Sequence, residues 1–270
     1  REEGKPSPVT VVTAGRFEAE FAGRNRLKLL HGAPQARVAS SSPGEGERIS
    51  TSQELEVAFG QAGGISSIVQ QGDVRYAEGA RSASAEHARY APATGELVLT
   101  GSPRFSEGAI TTTAKLLRLN RRSGEASAEG EVKTTYLSTG GRSRDGLLTS
   151  GDPIHVTAAT MTARTASGVA RYRGAARLWQ GANLIAAPSI EFDRERRTLV
   201  ATAWESVGEG GRAPQPRAGS PASPRVSTVF LHTDHNRQTT PVTVTAARLR
   251  YGDNLRKAKF EGGVTLRGAQ

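Results

Sequence analysis

His232, Asp234 and His235, in the segment FLHTDHN, form the tightest grouping of side chains with metal-ligand chemistry in the chain. They follow an apparent strand, but their spacing fits no standard zinc pattern and no third ligand is identified, so the segment reads as a polar turn. His31, His87 and His155 are scattered and read as surface or sheet-face residues. Paired carboxylates can run glycoside hydrolysis, one as acid and the other as base or nucleophile. The acids here sit in turns, GEGE at Gly44 to Glu47 and FDRER at Phe192 to Arg196, beside basic residues, which is the pattern of solvated turns. No G-x-S-x-G elbow, H-E-x-x-H pair, Walker loop or dinucleotide fingerprint is present. Nothing in the sequence requires catalysis, a metal or a cofactor.

The remaining chemistry is basic. The chain has 270 residues with 36 Lys and Arg against 26 Asp and Glu, a net charge of +10, which favours anionic partners. Arg171, Arg173, Arg177, Arg194, Arg196 and Arg197 could bind phosphates, but they read first as an ordinary solvated sheet face. Aromatics make up only 5% of the chain, too few for the stacking platforms that single-stranded nucleic acid uses, so nucleic acid is not an expected partner. With no cysteine, disulfides, thiolate metal sites and thiol nucleophiles are excluded and redox compartment is left open. No apolar run reaches membrane-spanning length, and the start REEGKPSPVTVV lacks a signal peptide's apolar core. A leader or anchor removed upstream of Arg1 is compatible with this start.

What must position these residues is a repeat. Gly72, Gly101 and Gly130 are each separated by a step of 29, as are Gly174 and Ala203. The step from Gly130 to Gly174 is longer because STGGRSRDGLLTSGD is inserted. PIHVTAATM from Pro153 returns as PVTVTAARL from Pro241, and ARYRGAARL from Ala170 returns as AKFEGGVTL from Ala258, both at an offset of 88. A small residue precedes five of the anchors by 16 positions: Ala85, Ala114, Ala158, Ala187 and Ala246. With looser matches at Gly32 and Gly72, seven units are expected.

Alternation assigns the faces, because successive strand residues point to opposite sides. Tyr172, Gly174, Ala176 and Leu178 share an apolar face while Arg171, Arg173 and Arg177 share the other. Leu99, Gly101, Pro103 and Phe105 repeat the apolar parity. Ile154, Val156 and Ala158 are in phase, but Met161 follows three positions later, which predicts a β-bulge at the alanine. The expected fold is all-β: an elongated two-sheet stack of about seven strand pairs, open at both ends, with no helix beyond a turn or two. Residues 1–207 form the stack with a loop near 138–152, residues 208–225 a Pro- and Gly-rich linker, and residues 226–270 a final repeat that continues it. The strand Val9 to Val12 and the strand Gly263 to Arg267 are expected to be open edges.

This grammar resembles the OstA-like β-jellyroll family of lipopolysaccharide export proteins, which includes LptA, LptC and the periplasmic part of LptD. The residues that carry the resemblance run from Val156 to Val207 and from Val242 to Gly268, in VTVTAARLRYGDNLRKAKFEGGVTLRG. The resemblance implies a periplasmic, non-catalytic carrier of lipopolysaccharide or a related glycolipid in a Gram-negative-type bacterium, membrane-anchored in some members. Acyl chains would run between the sheets, lined by Leu99, Phe105, Leu117, Val156, Met161, Tyr172, Leu178, Ile190 and Phe192. Arg171, Arg173 and Arg177 would meet the anionic headgroup. Partners would be other jellyrolls joined end to end, including further copies of the chain. Two other readings stand beside it: a β-solenoid enzyme acting on polysaccharide, and a purely structural β-repeat protein whose inward residues are only core.

Overall fold

The computed structural model describes residues 9–23, 25–41, 46–137, 148, 151–164, 167–203, 225–233 and 239–268. Among them every regular element is a strand, and the chain divides into two compact units, Arg1–Ala126 and Ser127–Gln270.

The first unit holds β1 (Val9–Thr13), β2 (Arg16–Ala22), β3 (Arg26–Ala33), β4 (Ala36–Ser41), β5 (Arg48–Ser52), β6 (Glu54–Phe59), β7 (Ile65–Glu78), β8 (Arg81–Ala91), β9 (Glu96–Thr100), β10 (Arg104–Glu107), β11 (Ile110–Thr113) and β12 (Leu116–Asn120). The pairings among the described strands are antiparallel and resolve into two ladders. Ladder I joins β1, β4, β5, the second half of β7, the first half of β8, β10 and β11. Ladder II joins β2, β3, β6, the first half of β7, the second half of β8, β9 and β12. The two inner faces meet: Ala36, on β4 of ladder I, clusters with Leu55 and Val57, on β6 of ladder II, and Val12, Val38, Leu30 and Ile68 pack around them.

The second unit continues with β13 (Glu125–Tyr136), which begins in the first, then β14 (Ile154–Arg164), β15 (Val169–Gln180), β16 (Asn183–Asp193), β17 (Thr198–Thr202), β18 (Val226–Thr233), β19 (Thr239–Ala246), β20 (Arg248–Gly252), β21 (Lys257–Glu261) and β22 (Thr265–Gly268). The same division holds. The first half of β14, the second of β15, the first of β16, then β18, β19 and β22 form ladder I. The other halves of β14, β15 and β16, then β17, β20 and β21 form ladder II. β18 and β20 therefore pair directly onto β16 and β17, although the preceding Pro-rich segment lies outside the described residues, as does most of the inserted loop at 138–152.

The repeat's glycines are where the chain passes from one ladder to the other. Gly72, Gly101, Gly130 and Gly174 have φ of 75°, 75°, 76° and 80°, and each is followed by a second residue at positive φ, namely Asp73, Ser102, Glu131 and Ala175. Two left-handed residues in succession turn the strand sharply, and at Gly101 and Gly174 the first must be glycine because a bulged residue of the preceding strand lies directly over it. A Cβ on Gly101 would stand 2.4 Å from Cβ of Glu86, and one on Gly174 would stand 2.5 Å from Cβ of Ala159. The facing amide closes the corner, with Glu86 N donating to Gly101 O at 3.1 Å and Gln53 N to Gly72 O at 2.8 Å. In β14 the register shifts between Thr157 and Thr160, at the alanine where the parity argument puts a bulge. Each corner therefore needs both elements of the repeat, the small residue with its bulged successor and the glycine.

Candidate functional site

Because cross-strand partners share a face, the registers string the inward side chains into rows that run from strand to strand. On ladder II of the second unit, Met161, Tyr172, Ile190, Ala201, Leu249 and Phe260 are successive partners. On ladder I the row is Val156, Leu178, Ile185, Thr228, Val244 and Leu266. In the first unit, ladder II carries Leu117, Leu99, Ala88, Gln70, Leu55, Gly32 and Phe17. Ladder I there carries Phe105, Ala83, Tyr76, Ser50, Val38 and Val12.

Of the nine residues singled out as lining the interior, Leu99, Leu117, Val156, Met161, Tyr172, Leu178 and Ile190 are buried, while Phe105 and Phe192 are half-buried. Tyr172, Val156, Leu178 and Ile190 are 0% exposed, so at these positions side chains fill the space between the ladders and exclude solvent. Each such burial contributes roughly 1.5–3 kcal/mol. The rows end uncovered. Phe17 and Phe21 share the inward face of β2 but are 41% and 63% exposed, and Val264, just before β22, and Leu266, on it, are 51% and 66% exposed. No described strand pairs with the outer side of β1, β2, β21 or β22, so each terminal strand is a sheet edge.

The structure does not gather the three singled-out arginines into one patch. The corner at Gly174 and Ala175 puts Arg171 and Arg173 on ladder II and Arg177 on ladder I. Nε and Nη2 of Arg171 both donate to Oε2 of Glu191, at 3.0 and 2.5 Å, so its guanidinium is already engaged. Arg173 is half-buried and Arg177 exposed. Asp234 and His235 lie outside the described residues, and of His232 only the backbone, in β18, is described. Among the described residues no three His, Asp or Glu side chains come together to hold a metal ion.

Two polar contacts across the interior were not readable from the sequence. In the second unit Tyr136 follows the corner at Gly130, and the neighbouring Thr135 hydroxyl bonds Nδ1 of His155 on the first half of β14. Tyr136 Oη shares a 2.6 Å hydrogen bond with Oη of Tyr172, on ladder II, and the Tyr136 ring stands edge-on to Phe192 at 5.3 Å. Burial pushes both phenols above their ordinary range; for Tyr136 the neighbouring Tyr172 adds to this, whereas hydrogen bonds from Thr134 and Tyr136 partly offset it at Tyr172.

The first unit has its contact at the margin opposite the corners. There Glu78, at the end of β7 on ladder I, accepts from Arg48 Nε at 2.5 Å and from Tyr76 Oη at 2.7 Å. Arg121, in the turn after β12 on ladder II, reaches the same carboxylate at 3.4 Å. Arg81 and Glu107 pair beside them at 2.8 Å. Burial raises the Glu78 carboxyl, but the bonds from Arg48 and Tyr76 and the charges of Arg121 and Arg48 outweigh it and hold the group below its usual value. Tyr76 is pushed up to about 12 by burial, then by its bond to Glu78 and the carboxylate's charge.

These three raised phenols make a prediction. A tyrosine that ionises more readily unfolded than folded withdraws stability as pH rises through its unfolded value near 10. Denaturant midpoints should be flat from neutral pH to about 9 and fall above about 10, and ultraviolet titration should show Tyr76, Tyr136 and Tyr172 ionising only with unfolding. Reversible ionisation of all five tyrosines near pH 10 in folded protein would contradict this.

No family model matches the sequence and no curated protein matches it. Among solved structures, the chain is similar to LptH from Pseudomonas aeruginosa, described as the LptA-homologous periplasmic component of a lipopolysaccharide transport device. The likeness covers 56% of this chain and 94% of that one at 15% identity, with a TM-score of 0.42.

Proposed function

We propose that the chain is a non-catalytic, periplasmic carrier of lipopolysaccharide or a related anionic glycolipid, built as an OstA-type jellyroll of about seven repeats. The observation that carries this reading is the set of inward rows, mainly apolar though interrupted by Gln70, Ser50 and Thr228, that run from strand to strand and are left uncovered at the terminal strands. A protein whose interior served only as core would gain by capping Phe17, Phe21, Val264 and Leu266. A carrier that hands lipid to a like neighbour needs those ends bare. Acyl chains would displace the side-chain packing along the buried rows through Leu99, Leu117, Val156, Met161, Tyr172, Leu178 and Ile190, with Phe105 and Phe192 at their margins. Removal of each CH₂ from water would favour binding by about 0.8 kcal/mol. Headgroups would stay outside, where Arg177 is exposed. The edges of β1 and β22 would take the strands of another jellyroll by strand addition, a head-to-tail contact that can also join copies of this chain.

Native mass spectrometry with added lipopolysaccharide reads both properties at once. Wild type should carry lipid adducts and form a concentration-dependent ladder of oligomers. A Val264→Lys and Leu266→Pro double variant should keep the adducts and lose the ladder, because Pro removes a donor and Lys puts charge on the edge. Wild type without adducts, together with silent photo-crosslinkers at Tyr172 and Ile190, overturns the carrier reading in favour of a structural β-repeat.

A further inference from the structure

The two ladders of the first unit cannot part at the corners, where the backbone itself joins them, so any separation must occur along the opposite margin. That margin is held by the Arg121 guanidinium on the Glu78 carboxylate, a contact from a ladder II turn to the end of a ladder I strand. It is the weakest of the bonds on Glu78: 3.4 Å, against 2.5 Å from Arg48 and 2.7 Å from Tyr76, with the Arg121 side chain 33% exposed. Behind it the inner face of β8 is made of small residues, Ala83, Ala85 and Ala88, which leave room once the margin opens. The local charge is unbalanced, since Arg48, Arg81 and Arg121 face Glu78 and Glu107.

We propose that this margin is the portal by which an anionic amphiphile reaches the interior of the first unit: a phosphate on its headgroup displaces Glu78 from Arg121, the ladders part, and the acyl chains follow. The proposal rests on the carrier reading above and names the group that recognises the cargo. Phosphate suits the exchange better than another carboxylate. It brings more charge and more acceptor oxygens, so one group can take both Arg121 and Arg48 in forked hydrogen bonds. Glu78 gives up Arg121 and Arg48 but keeps Tyr76, so the displaced carboxylate is not left bare.

The test uses three probes on the whole chain: a short-chain phosphatidic acid, the matching diacylglycerol, and inorganic phosphate. Binding is measured by calorimetry, and opening by hydrogen exchange in the turns at Gly79 and Ala80 and at Arg122 to Gly124. Wild type should bind phosphatidic acid more tightly than diacylglycerol and speed exchange in both turns as it does so. Arg121→Ala should weaken phosphatidic acid by roughly tenfold, the loss of one charge-assisted bond, and leave diacylglycerol unchanged. Arg121→Lys should recover part of the loss, and Lys133→Ala, at an exposed position on β13, should have no effect. If wild type binds both lipids and Arg121→Ala alters neither, the portal is wrong and the carrier reading stands. If wild type binds neither lipid, both fall. If inorganic phosphate alone opens the turns and binds as tightly as the lipid, the margin is a site for free anion and the portal is overturned.

Discussion

Ile190→Asp is expected to unfold the second unit at neutral pH. Ile190 is 0% exposed, between Tyr172 and Ala201 in the ladder II row, and no cation lies in that row to meet a carboxylate. The substitution removes the apolar side chain, a loss of about 2 kcal/mol or more, and adds an uncompensated charge whose desolvation costs several more. The sum, at least about 4 kcal/mol, is comparable to the whole stability of many domains. Guanidinium denaturation followed by circular dichroism should show the second unit's transition lost or moved far down, with partial recovery at acid pH where the new carboxyl is neutral. Arg177→Ala, on the exposed outer face, should stay within about 0.5 kcal/mol of wild type. A shift below 1 kcal/mol for Ile190→Asp would mean that the face assignment is wrong.

Gly101→Ala, a single added methyl, should cost about 3 kcal/mol. A left-handed backbone at φ 75° is unfavourable for any L side chain by roughly 1–2 kcal/mol. The new Cβ would also meet Cβ of Glu86 at 2.4 Å, an atom fixed close to its own backbone, so relief requires the corner to widen, at roughly 1–3 kcal/mol. The two contributions separate in a cycle with Glu86→Gly. Removing the opposing Cβ should return the steric part of the loss and leave the left-handed part. Denaturant midpoints for the four proteins would measure it. An additive cycle would show that the corner is not held by this contact.

The 29-residue step was readable because a corner makes two demands that few residues meet, glycine at the left-handed position and a small residue before the bulge. Ala158, followed by the misphased Met161, marked the bulge itself. The second left-handed residue left no such mark, since Asp73, Ser102, Glu131 and Ala175 are chemically unrelated. Parity read along a single strand gave the inward side of Tyr172, Ala176 and Leu178, but it joined Arg171, Arg173 and Arg177 into one face, because nothing in the alternation says that the strand turns onto another ladder at Gly174. The margin contact was hidden for another reason. Glu78, at the end of β7, and Arg121, in the turn after β12, look in sequence like ordinary solvated charges, and 43 positions separate them, so only the ladder pairing brings them together. The break between Ala126 and Ser127 was equally silent, falling inside β13 with no change of composition.

The glycine corners bear on misfolding as much as on shape. A sheet of many similar, alanine-rich strands is prone to slippage, since moving one strand by two residues keeps its apolar side inward. Here a slipped strand would carry its glycine out of the corner and bring in a residue with a Cβ where 2.4 to 2.6 Å is available at Gly101, Gly174 and Gly262. Because β7, β8, β14, β15 and β16 each belong to both ladders, the same slip would have to be made in both at once. The corners thus act as a vernier, checking the alignment of each of these long strands against its neighbour, and a chain of similarly patterned repeats is left with one register that closes.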